Sequence, residues 1–397
     1  MTIPTYIEEN AIKNHSNDIA RLGRHALIVT GRNSAKMNGS LRDLQDCLSS
    51  TGTLYTVYDG ILENPTVENV MEARNLGLSK GCDFVIGLGG GSPMDAAKAV
   101  SILLFRSNKS ADYLYQTPEW DDKDDNGQTI CFPVVAIATT CGTGSEATGV
   151  SVLSRTDLMT KKSLPHRVFP SISLMDPTYL MYAPYKILRN TALDAMAHMI
   201  ESYINKSAND TSRQLCISGL KLWSRAKDVI LGKRQVGYVK NEHPNNISDY
   251  IRRSQNPELA KADVVTDMKI LSDMLKASNI AGQAIAITGT SLPHALSYRL
   301  TYSGGVAHGP ATAIFQPGFV SFADEKTQTA LFRAMGFSDI EEFKTFLGKT
   351  CDIGNVSELD YSLLIENSIK DILSEPARIE KVPYPVNREV LEKIVSY

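Results

Sequence analysis

The chain lacks any strong charge bias and any long apolar run. Its 397 residues carry 41 lysines and arginines against 44 aspartates and glutamates, a formal net charge of −3. Without a basic surplus, the surface offers no field that would attract nucleic acid or an anionic membrane. No stretch reaches the roughly 18 apolar residues that a membrane-spanning helix requires. We therefore expect neither nucleic acid nor a membrane as a partner.

The N-terminus and the cysteines lack the signs of a secreted protein. The first residues, MTIPTYIEENAIKNHSND, contain no basic segment followed by an apolar one, so we expect no secretory signal. The six cysteines lie far apart and form no CxxC pair. Such a distribution is typical of reduced thiols and fits neither a disulfide framework nor a thiolate zinc site. The expected location is the cytoplasm.

The length and the texture of the chain predict two domains. A chain of 397 residues exceeds one ordinary hydrophobic core. Short apolar runs at 25–31, 54–60, 82–91 and 133–140 alternate with helical patterns, which indicates a parallel sheet with crossover helices. After Pro184 only helical patterns are clear. We predict an α/β dinucleotide-binding domain with a parallel sheet at 1–183 and an all-α metal and substrate domain at 184–397.

A glycine-rich segment, GLGGGSPMDAAK, runs from Gly87 to Lys98. A strand is expected to end in these glycines, and a helix to begin with Ser92 as N-cap and Pro93 as first residue. Exposed backbone beside a helix N-terminus is a ready anion site, so we predict that nucleotide phosphates bind here. The spacing matches neither GxGxxG nor a Walker loop, and a turn without a ligand is the alternative.

A second polar, glycine-bearing stretch, TTCGTGSE, occupies residues 139–146. It follows the predicted strand at 133–140. Ligands bind at the carboxyl ends of parallel strands, so these hydroxyl groups are suited to contacts with a ribose or a nicotinamide. A solvated turn is the alternative.

The second half of the chain contains a candidate metal-binding set. Asp194 and His198 are four residues apart in an apolar helical stretch, so they share one helix face. His294 and His308 follow fourteen residues apart, with His308 in an expected turn. One carboxylate and three imidazoles form a complete coordination sphere for Zn²⁺ or Fe²⁺. For each histidine alone, a hydrogen-bonded core residue is the alternative, and the metal hypothesis requires that the segments meet.

Four segments carry a resemblance to a known family: GGGSPMDAAK, TTCGTGSEATG, TALDAMAHMIESY and PHALS…HGPATAIFQP. Over roughly residues 26–317 the chain resembles the iron-containing (group III) alcohol dehydrogenases. The resemblance implies a dehydroquinate synthase-like fold, with the active site in a cleft between a nucleotide domain and a metal domain. It implies metal ligation by Asp194, His198, His294 and His308, and NAD(P)H as cofactor. The implied cofactor contacts are Gly90, Gly91, Ser92, Asp95, Thr139, Thr140, Thr143, Lys162 and Leu180. We also expect a homodimer or higher homo-oligomer, because an open sheet leaves an edge strand to cover.

Two positions depart from the family pattern. Many members carry a second histidine four residues after the first in the PHALS segment, whereas this chain has Tyr298. The pKa of a tyrosine side chain is about 10, so its hydroxyl is a poorer proton relay at neutral pH than an imidazole. Gly31, followed by Arg32, stands where NAD-preferring members often have aspartate. Because that carboxylate would repel the 2′-phosphate of NADPH, its absence leaves NADPH as an alternative to NADH. The resemblance slightly favours NADH.

The PHALSY…HG pattern is most similar to the sulfoacetaldehyde and phosphonoacetaldehyde reductases. A guanidinium offers paired donors to such anions, so Arg299, next to Tyr298, is the candidate contact, with a salt bridge as an equal alternative. Arg252 and Arg253 are weaker candidates in a charged loop. We predict metal-dependent reduction of a small anionic aldehyde, foremost sulfoacetaldehyde to 2-hydroxyethanesulfonate. Phosphonoacetaldehyde reduction and a general short-chain alcohol dehydrogenase are the alternatives.

Two other classes of function are alternatives to an aldehyde reductase. A dehydroquinate synthase-like lyase shares the two-domain plan, but its metal set of one glutamate and two histidines is not visible in the sequence. A binding protein or sensor would keep the nucleotide without chemistry, which the full set of metal-type side chains argues against. Consumption of NAD(P)H distinguishes a reductase from both.

Overall fold

The computed structural model describes residues 3–156, 160–234, 267–354, 356–375 and 379–396. The chain divides into two compact units. The first comprises the described residues of Met1–Thr140 and Ser145–Ala183, and the second those of Cys141–Gly144, Pro184–Val239 and Arg252–Tyr397. Within the described ranges, no helix is both long and apolar enough to cross a membrane. All six cysteines, each of which is described, are free thiols.

The first unit contains a six-stranded sheet in the order β1-β8-β5-β4-β2-β3. Every neighbouring pair in this sheet is parallel. Its strands are β1 (Thr5–Ile7), β2 (His25–Gly31), β3 (Leu54–Ile61), β4 (Phe84–Gly89), β5 (Val134–Ala138) and β8 (Ile172–Met175). The predicted parallel sheet is confirmed, whereas β1 and β8 are too short to stand out as apolar runs. A separate antiparallel pair consists of β6 (Val152–Arg155) and β7 (Thr160–Ser163).

Helices cover both faces of the sheet. Along β2, Leu27 and Val29 belong to one core cluster and Ala26 and Ile28 to the other, because side chains alternate between the faces of a strand. Burial on both faces explains why these strands are continuous apolar runs. The helices are α1 (Ala11–Asn14), α2 (Ser16–Ala20), α3 (Ser34–Met37), α4 (Ser40–Ser50), α5 (Val67–Lys80) and α6 (Gly91–Phe105).

The described residues of the second unit form helices and their connecting loops, with no strand among them. Its longest helices are α7 and α10, and α7 buries fourteen of its twenty residues. The helices are α7 (Tyr185–Ile204), α8 (Asp210–Ser224), α9 (Lys227–Ile230), α10 (Met268–Thr288), α11 (Leu292–Tyr302), α12 (His308–Ala313), α13 (Gln316–Ser321), α14 (Glu325–Met335), α15 (Ile340–Thr350), α16 (Glu358–Ser374) and α17 (Arg388–Ser396). The predicted all-α character of this half is confirmed.

Candidate nucleotide turn and metal centre

The carboxyl ends of β2, β4 and β5 lie side by side in the sheet. The strand register pairs Thr30 with Leu88 and Gly89 with Ala138, so these three strands end in one row. β2 and β4 are neighbours in the sheet. The connection after β2 leads to β3 on one side of this pair, and the connection after β4 leads to β5 on the opposite side. A reversal of this kind is where ligands bind in open parallel sheets. Gly31, which ends β2, and the glycines after β4 are therefore neighbours at such a point.

The helix that follows β4 begins two residues earlier than the sequence predicted. Gly90, in an extended conformation, is the N-cap, and α6 starts at Gly91. The correction has a local reason, because the Ser92 hydroxyl accepts a hydrogen bond from the Asn64 backbone N–H at 3.2 Å and does not cap the helix. No side chain of the described residues caps the α6 N-terminus. Uncapped N–H groups at the start of a long helix suit a phosphate.

Asp95 and Lys98, both on α6, fix the segment that follows β5. The Asp95 carboxylate accepts hydrogen bonds from the Ser145 hydroxyl at 2.6 Å and from the Val152 backbone N–H at 3.0 Å. Lys98 donates to the Ser145 carbonyl at 2.7 Å and to the Val150 carbonyl at 2.8 Å. Burial lowers the pKa of Lys98 to about 8 and raises that of Asp95. These contacts give Asp95 a structural role in the turn region.

The other predicted cofactor residues fall in several elements. Thr139 donates its backbone N–H to the Gly89 carbonyl at 2.8 Å, and an added Cβ on Gly90 would stand 3.3 Å from Thr140. Thr143 belongs to the second unit, within Cys141–Gly144. Lys162 is exposed on β7, and Leu180 is buried in the 3-10 segment Pro177–Tyr182. The carboxyl ends of β2, β4 and β5 thus bring together Gly31, Gly90, Thr139 and Thr140. Lys162 and Leu180 lie in other elements.

The predicted metal-type side chains converge in the second unit. The Nε2 atoms of His294, His198 and His308 stand 3.6, 3.8 and 3.8 Å from Asp194 Oδ1. Donor atoms of Asp194, His294 and His308 all lie within 4.8 Å of one another, and the His198 ring stacks on the His294 ring with centroids 4.6 Å apart. The two sequence segments meet, as the metal hypothesis requires. His308 begins α12, although the sequence suggested a turn.

The geometry of this cluster fits a divalent cation. Ligands about 2.0–2.2 Å from a common centre at tetrahedral angles stand about 3.3–3.6 Å apart, close to the separations from Asp194 Oδ1. Asp194 Oδ1 and His294 Nε2 are buried and make no hydrogen bond within the described part of the chain. Such orphaned atoms are costly unless something else satisfies them. The cluster is most open at His308, whose side chain is 31% exposed against 5% for Asp194.

The electrostatics of the cluster also suit a cation. Burial opposes ionisation of Asp194, but the surrounding imidazoles hold its pKa well below its usual range. Burial opposes the charged form of His294 as well, yet the carboxylates of Glu201 and Asp194 raise its pKa to about 10. Burial lowers the pKa of His198. An ionised carboxylate therefore lies at the centre of the four side chains.

Close backbone packing brings His308 to the cluster. A Cβ added to Gly309 would stand 1.8 Å from the Asn190 carbonyl oxygen and 3.3 Å from the Asp194 nitrogen. Only glycine lets the start of α12 approach α7 this closely. The chain also places Glu201, which sequence reasoning missed, against the His294 ring, with Nδ1 and Oε1 2.6 Å apart. Its spacing of three residues from His198 on one helix was the available signal.

Of the candidate anion contacts, only Arg299 lies among the described residues, and it is paired with a carboxylate. Arg299 donates through Nε to Asp371 Oδ2 at 2.7 Å and through Nη2 to Asp371 Oδ1 at 3.1 Å. This ion pair occupies the paired donors that a substrate anion would need, so the salt-bridge alternative describes Arg299 in this structure. Tyr298 is half-buried one helical turn after His294. Arg252 and Arg253 lie outside the described residues.

Comparisons with known proteins agree with this fold. The family model for iron-containing alcohol dehydrogenase matches residues 4–177, and the model for the C-terminal part of the same family matches 256–381. An iron-containing alcohol dehydrogenase structure from Thermotoga maritima is 31% identical, with TM-score 0.78 and 99% and 97% of the two chains covered. Long-chain-alcohol dehydrogenase 1 of Geobacillus thermodenitrificans is 26% identical over 93% of this chain and 88% of its own.

A further similar structure is a sulfoacetaldehyde reductase from Bifidobacterium kashiwanohense in complex with NAD⁺. It is 22% identical, with TM-score 0.77 and coverage of 100% of this chain and 96% of its own, a likeness that shows the fold. The comparisons place the chain among oxidoreductases that act on alcohols or aldehydes. More narrowly, the chain belongs to the iron-containing alcohol dehydrogenase family.

Proposed function

We propose that this protein is a divalent-metal- and NAD(P)-dependent oxidoreductase that interconverts a short aldehyde and its alcohol. The observation that carries this proposal is the approach of three imidazole Nε2 atoms to Asp194 Oδ1 at 3.6–3.8 Å without direct hydrogen bonds. Asp194 Oδ1 and His294 Nε2 are buried without a hydrogen bond to any described residue, and four metal-type side chains that converge on one place are more typical of a cation site than of a packed core.

The proposed ligands of the cation are Asp194, His198, His294 and His308. Such an ion, Fe²⁺ or Zn²⁺, supplies Lewis acidity that polarises a carbonyl group. Asp194 contributes negative charge at the centre, and the imidazoles contribute nitrogen donors that are neutral once the cation has displaced any proton from them. His308, the most exposed of the four, marks the side that a small substrate reaches. Tyr298, one turn from His294, is proposed to orient the substrate by a hydrogen bond.

The proposed role of the first unit is to hold the dinucleotide. The uncapped N-terminus of α6 offers backbone N–H groups and favourable partial charge to the pyrophosphate. Gly31, at the end of β2, carries no carboxylate to repel a 2′-phosphate, so both NADH and NADPH are proposed hydride donors. Thr139 and Thr140, after the adjacent strand β5, are proposed to line the same site.

The proposed substrate is sulfoacetaldehyde, with phosphonoacetaldehyde next. Support comes from the PHALSY…HG pattern and from the fold shared with a sulfoacetaldehyde reductase. A second candidate is an uncharged short-chain aldehyde. It is favoured by the pairing of Arg299 with Asp371, because that pairing uses the cationic group nearest to Tyr298 in sequence.

Initial rates with matched substrates test this proposal. Protein loaded with Zn²⁺ or Fe²⁺ is supplied with NADH or NADPH and with sulfoacetaldehyde, phosphonoacetaldehyde or propanal. We expect one NAD(P)H to be consumed per aldehyde and the largest kcat/KM for sulfoacetaldehyde. Equal turnover of propanal would transfer the assignment to a general alcohol dehydrogenase. Absence of NAD(P)H consumption with every aldehyde would reject the reductase.

A further inference from the structure

Glu201 lies on the face of α7 that carries the candidate metal ligands. It follows Asp194 by seven residues and His198 by three, so the three side chains share one side of the helix. Glu201 is fully buried, and no lysine or arginine of the described residues pairs with it. A buried carboxylate without a cationic side chain is costly unless hydrogen bonds satisfy it. Both of its oxygens therefore need hydrogen-bond donors.

Both oxygens of Glu201 accept hydrogen bonds from segments distant in sequence. Oε1 contacts His294 Nδ1 at 2.6 Å and accepts from Gln316 Nε2 at 2.9 Å. Oε2 accepts from the Ser291 backbone N–H at 2.6 Å. Ser291 is the N-cap residue of α11, and His294 is the third residue of that helix. One carboxylate thus fixes the start of α11 and the imidazole that α11 carries.

The contact with Nδ1 decides what the other ring nitrogen can do. A neutral imidazole that donates through Nδ1 has its lone pair on Nε2. Nε2 of His294 is the atom that stands 3.6 Å from Asp194 Oδ1 and makes no hydrogen bond within the described ranges. Without the carboxylate, the ring could carry its proton on Nε2 or rotate, and either change removes a donor from the cluster.

We propose that Glu201 is a positioning residue, whose carboxylate holds the His294 ring in the tautomer and orientation that present Nε2 to the cation. This inference rests on the proposed metal function. A carboxylate behind a ligating histidine raises the basicity of that ligand and limits its movement. Removal of such a partner typically weakens metal affinity about 10- to 100-fold.

The test is a series of Zn²⁺ affinities, measured by competition with a chromophoric chelator. Glu201→Gln keeps a similar shape and an acceptor but loses the charge, whereas Glu201→Leu loses the acceptor altogether. We expect Zn²⁺ affinity to fall about tenfold for Glu201→Gln and about 100-fold or more for Glu201→Leu. Wild-type affinity in Glu201→Gln would overturn the inference, and this variant suffices if Glu201→Leu does not fold.

Ser202→Ala is the matched control. Ser202 is fully buried beside Glu201 on α7, and its hydroxyl accepts a hydrogen bond from the Thr288 hydroxyl at 2.9 Å. This variant should lower the melting temperature and leave the Zn²⁺ affinity unchanged. If Ser202→Ala weakened Zn²⁺ binding as much as Glu201→Gln, Glu201 would be only a packing residue of the helix and the positioning role would be rejected.

A double variant separates this inference from the proposed function. If Glu201 acts through His294, adding Glu201→Gln to His294→Ala should cause no further loss of Zn²⁺ affinity. A full additional loss would overturn the positioning role. If His294→Ala itself binds Zn²⁺ like the wild type, the metal centre is rejected. If only His294→Ala loses Zn²⁺ and Glu201→Gln does not, the metal centre stands and the role of Glu201 is rejected.

Discussion

The two units present their ligand-binding atoms in different ways. In the first, the candidate site is mostly backbone, with Gly90 as N-cap, Gly91 as the first residue of α6 and no capping side chain within the described ranges. In the second, it consists of side chains whose positions depend on buried partners, as with Glu201 behind His294. A backbone site is damaged by atoms added within it, whereas a side-chain site is damaged when a ligand is removed or when the helix that carries a ligand is displaced. Substitutions within each site should therefore separate the two sites.

Removal of the His294 imidazole should produce the largest effect. Lewis-acid stabilisation contributes several kcal/mol, and each 1.36 kcal/mol is a factor of ten, so His294→Ala should lower kcat/KM about 1000-fold or more. Measured metal content should fall in parallel. NADH binding, followed by fluorescence, is the control and should stay near the wild-type value, because the change lies in the second unit. A His294→Ala variant that is active without metal would contradict the claim that the second unit supplies a metal site needed for the reaction.

Addition of one methyl group at Gly309 should also disrupt the side-chain site. Its Cβ would stand 1.8 Å from the Asn190 carbonyl oxygen, which is backbone and cannot move aside alone. Overpacking of this kind costs roughly 3 kcal/mol of unfolding free energy, and displacement of α12 should carry His308 away from Asp194. Thermal unfolding and Zn²⁺ titration measure both effects.

Gly348→Ala is the matched control for Gly309→Ala. Gly348 lies within α15, and no atom in the described part of the chain stands within 4 Å of an added Cβ. Alanine is the better helix former, so this variant should be as stable as the wild type or slightly more stable. Wild-type stability and Zn²⁺ affinity in Gly309→Ala would show that α12 and α7 need no such close approach.

Gly90→Ala should weaken the backbone site and spare the metal centre. The added methyl group would stand 3.3 Å from Thr140 and crowd the N-terminus of α6. Loss of one hydrogen bond to a charged phosphate costs about 1.5–3 kcal/mol, so KM for NADH should rise about 10- to 100-fold. Zn²⁺ affinity should not change. A normal KM would mean that the pyrophosphate binds elsewhere.

The smallest effect is expected at Arg299. Its ion pair with Asp371 is about one-third exposed, so Arg299→Ala should cost no more than about 1 kcal/mol of stability. Asp371→Ala is the matched variant and should cost about the same. The ratio of kcat/KM for sulfoacetaldehyde to that for propanal should be unchanged in both. A tenfold loss of this ratio in Arg299→Ala alone would restore Arg299 as the anion contact.

The sequence predicted the parallel sheet and the shared helix face of Asp194 and His198 because both depend on local patterns, whereas spacing could not show that His294 and His308 meet that face. Strands buried on both faces are continuous apolar runs, and the i, i+4 spacing puts Asp194 and His198 on one side of a helix. The α6 start was misplaced because the conformations of Gly89 and Gly90 are set by their neighbours: Gly89 has a φ of +141° and Gly90 is extended.

Other features depend on contacts between distant residues. Glu201 lies 90 residues from Ser291 and 115 from Gln316, so its burial and its partners could not be derived from helical spacing alone. The partner of Arg299 lies 72 residues further along the chain. Without that distant carboxylate in view, a salt bridge and an anion contact were equal alternatives for Arg299.

The most direct test of the account is the rate of NADH oxidation with sulfoacetaldehyde as metal is returned to chelator-stripped protein. We predict negligible activity without metal and full activity at one equivalent of Fe²⁺ or Zn²⁺ per chain. The same titration of His294→Ala should restore nothing. Undiminished activity in the stripped wild-type protein would contradict the claim that Asp194, His198, His294 and His308 form a metal centre required for the reaction.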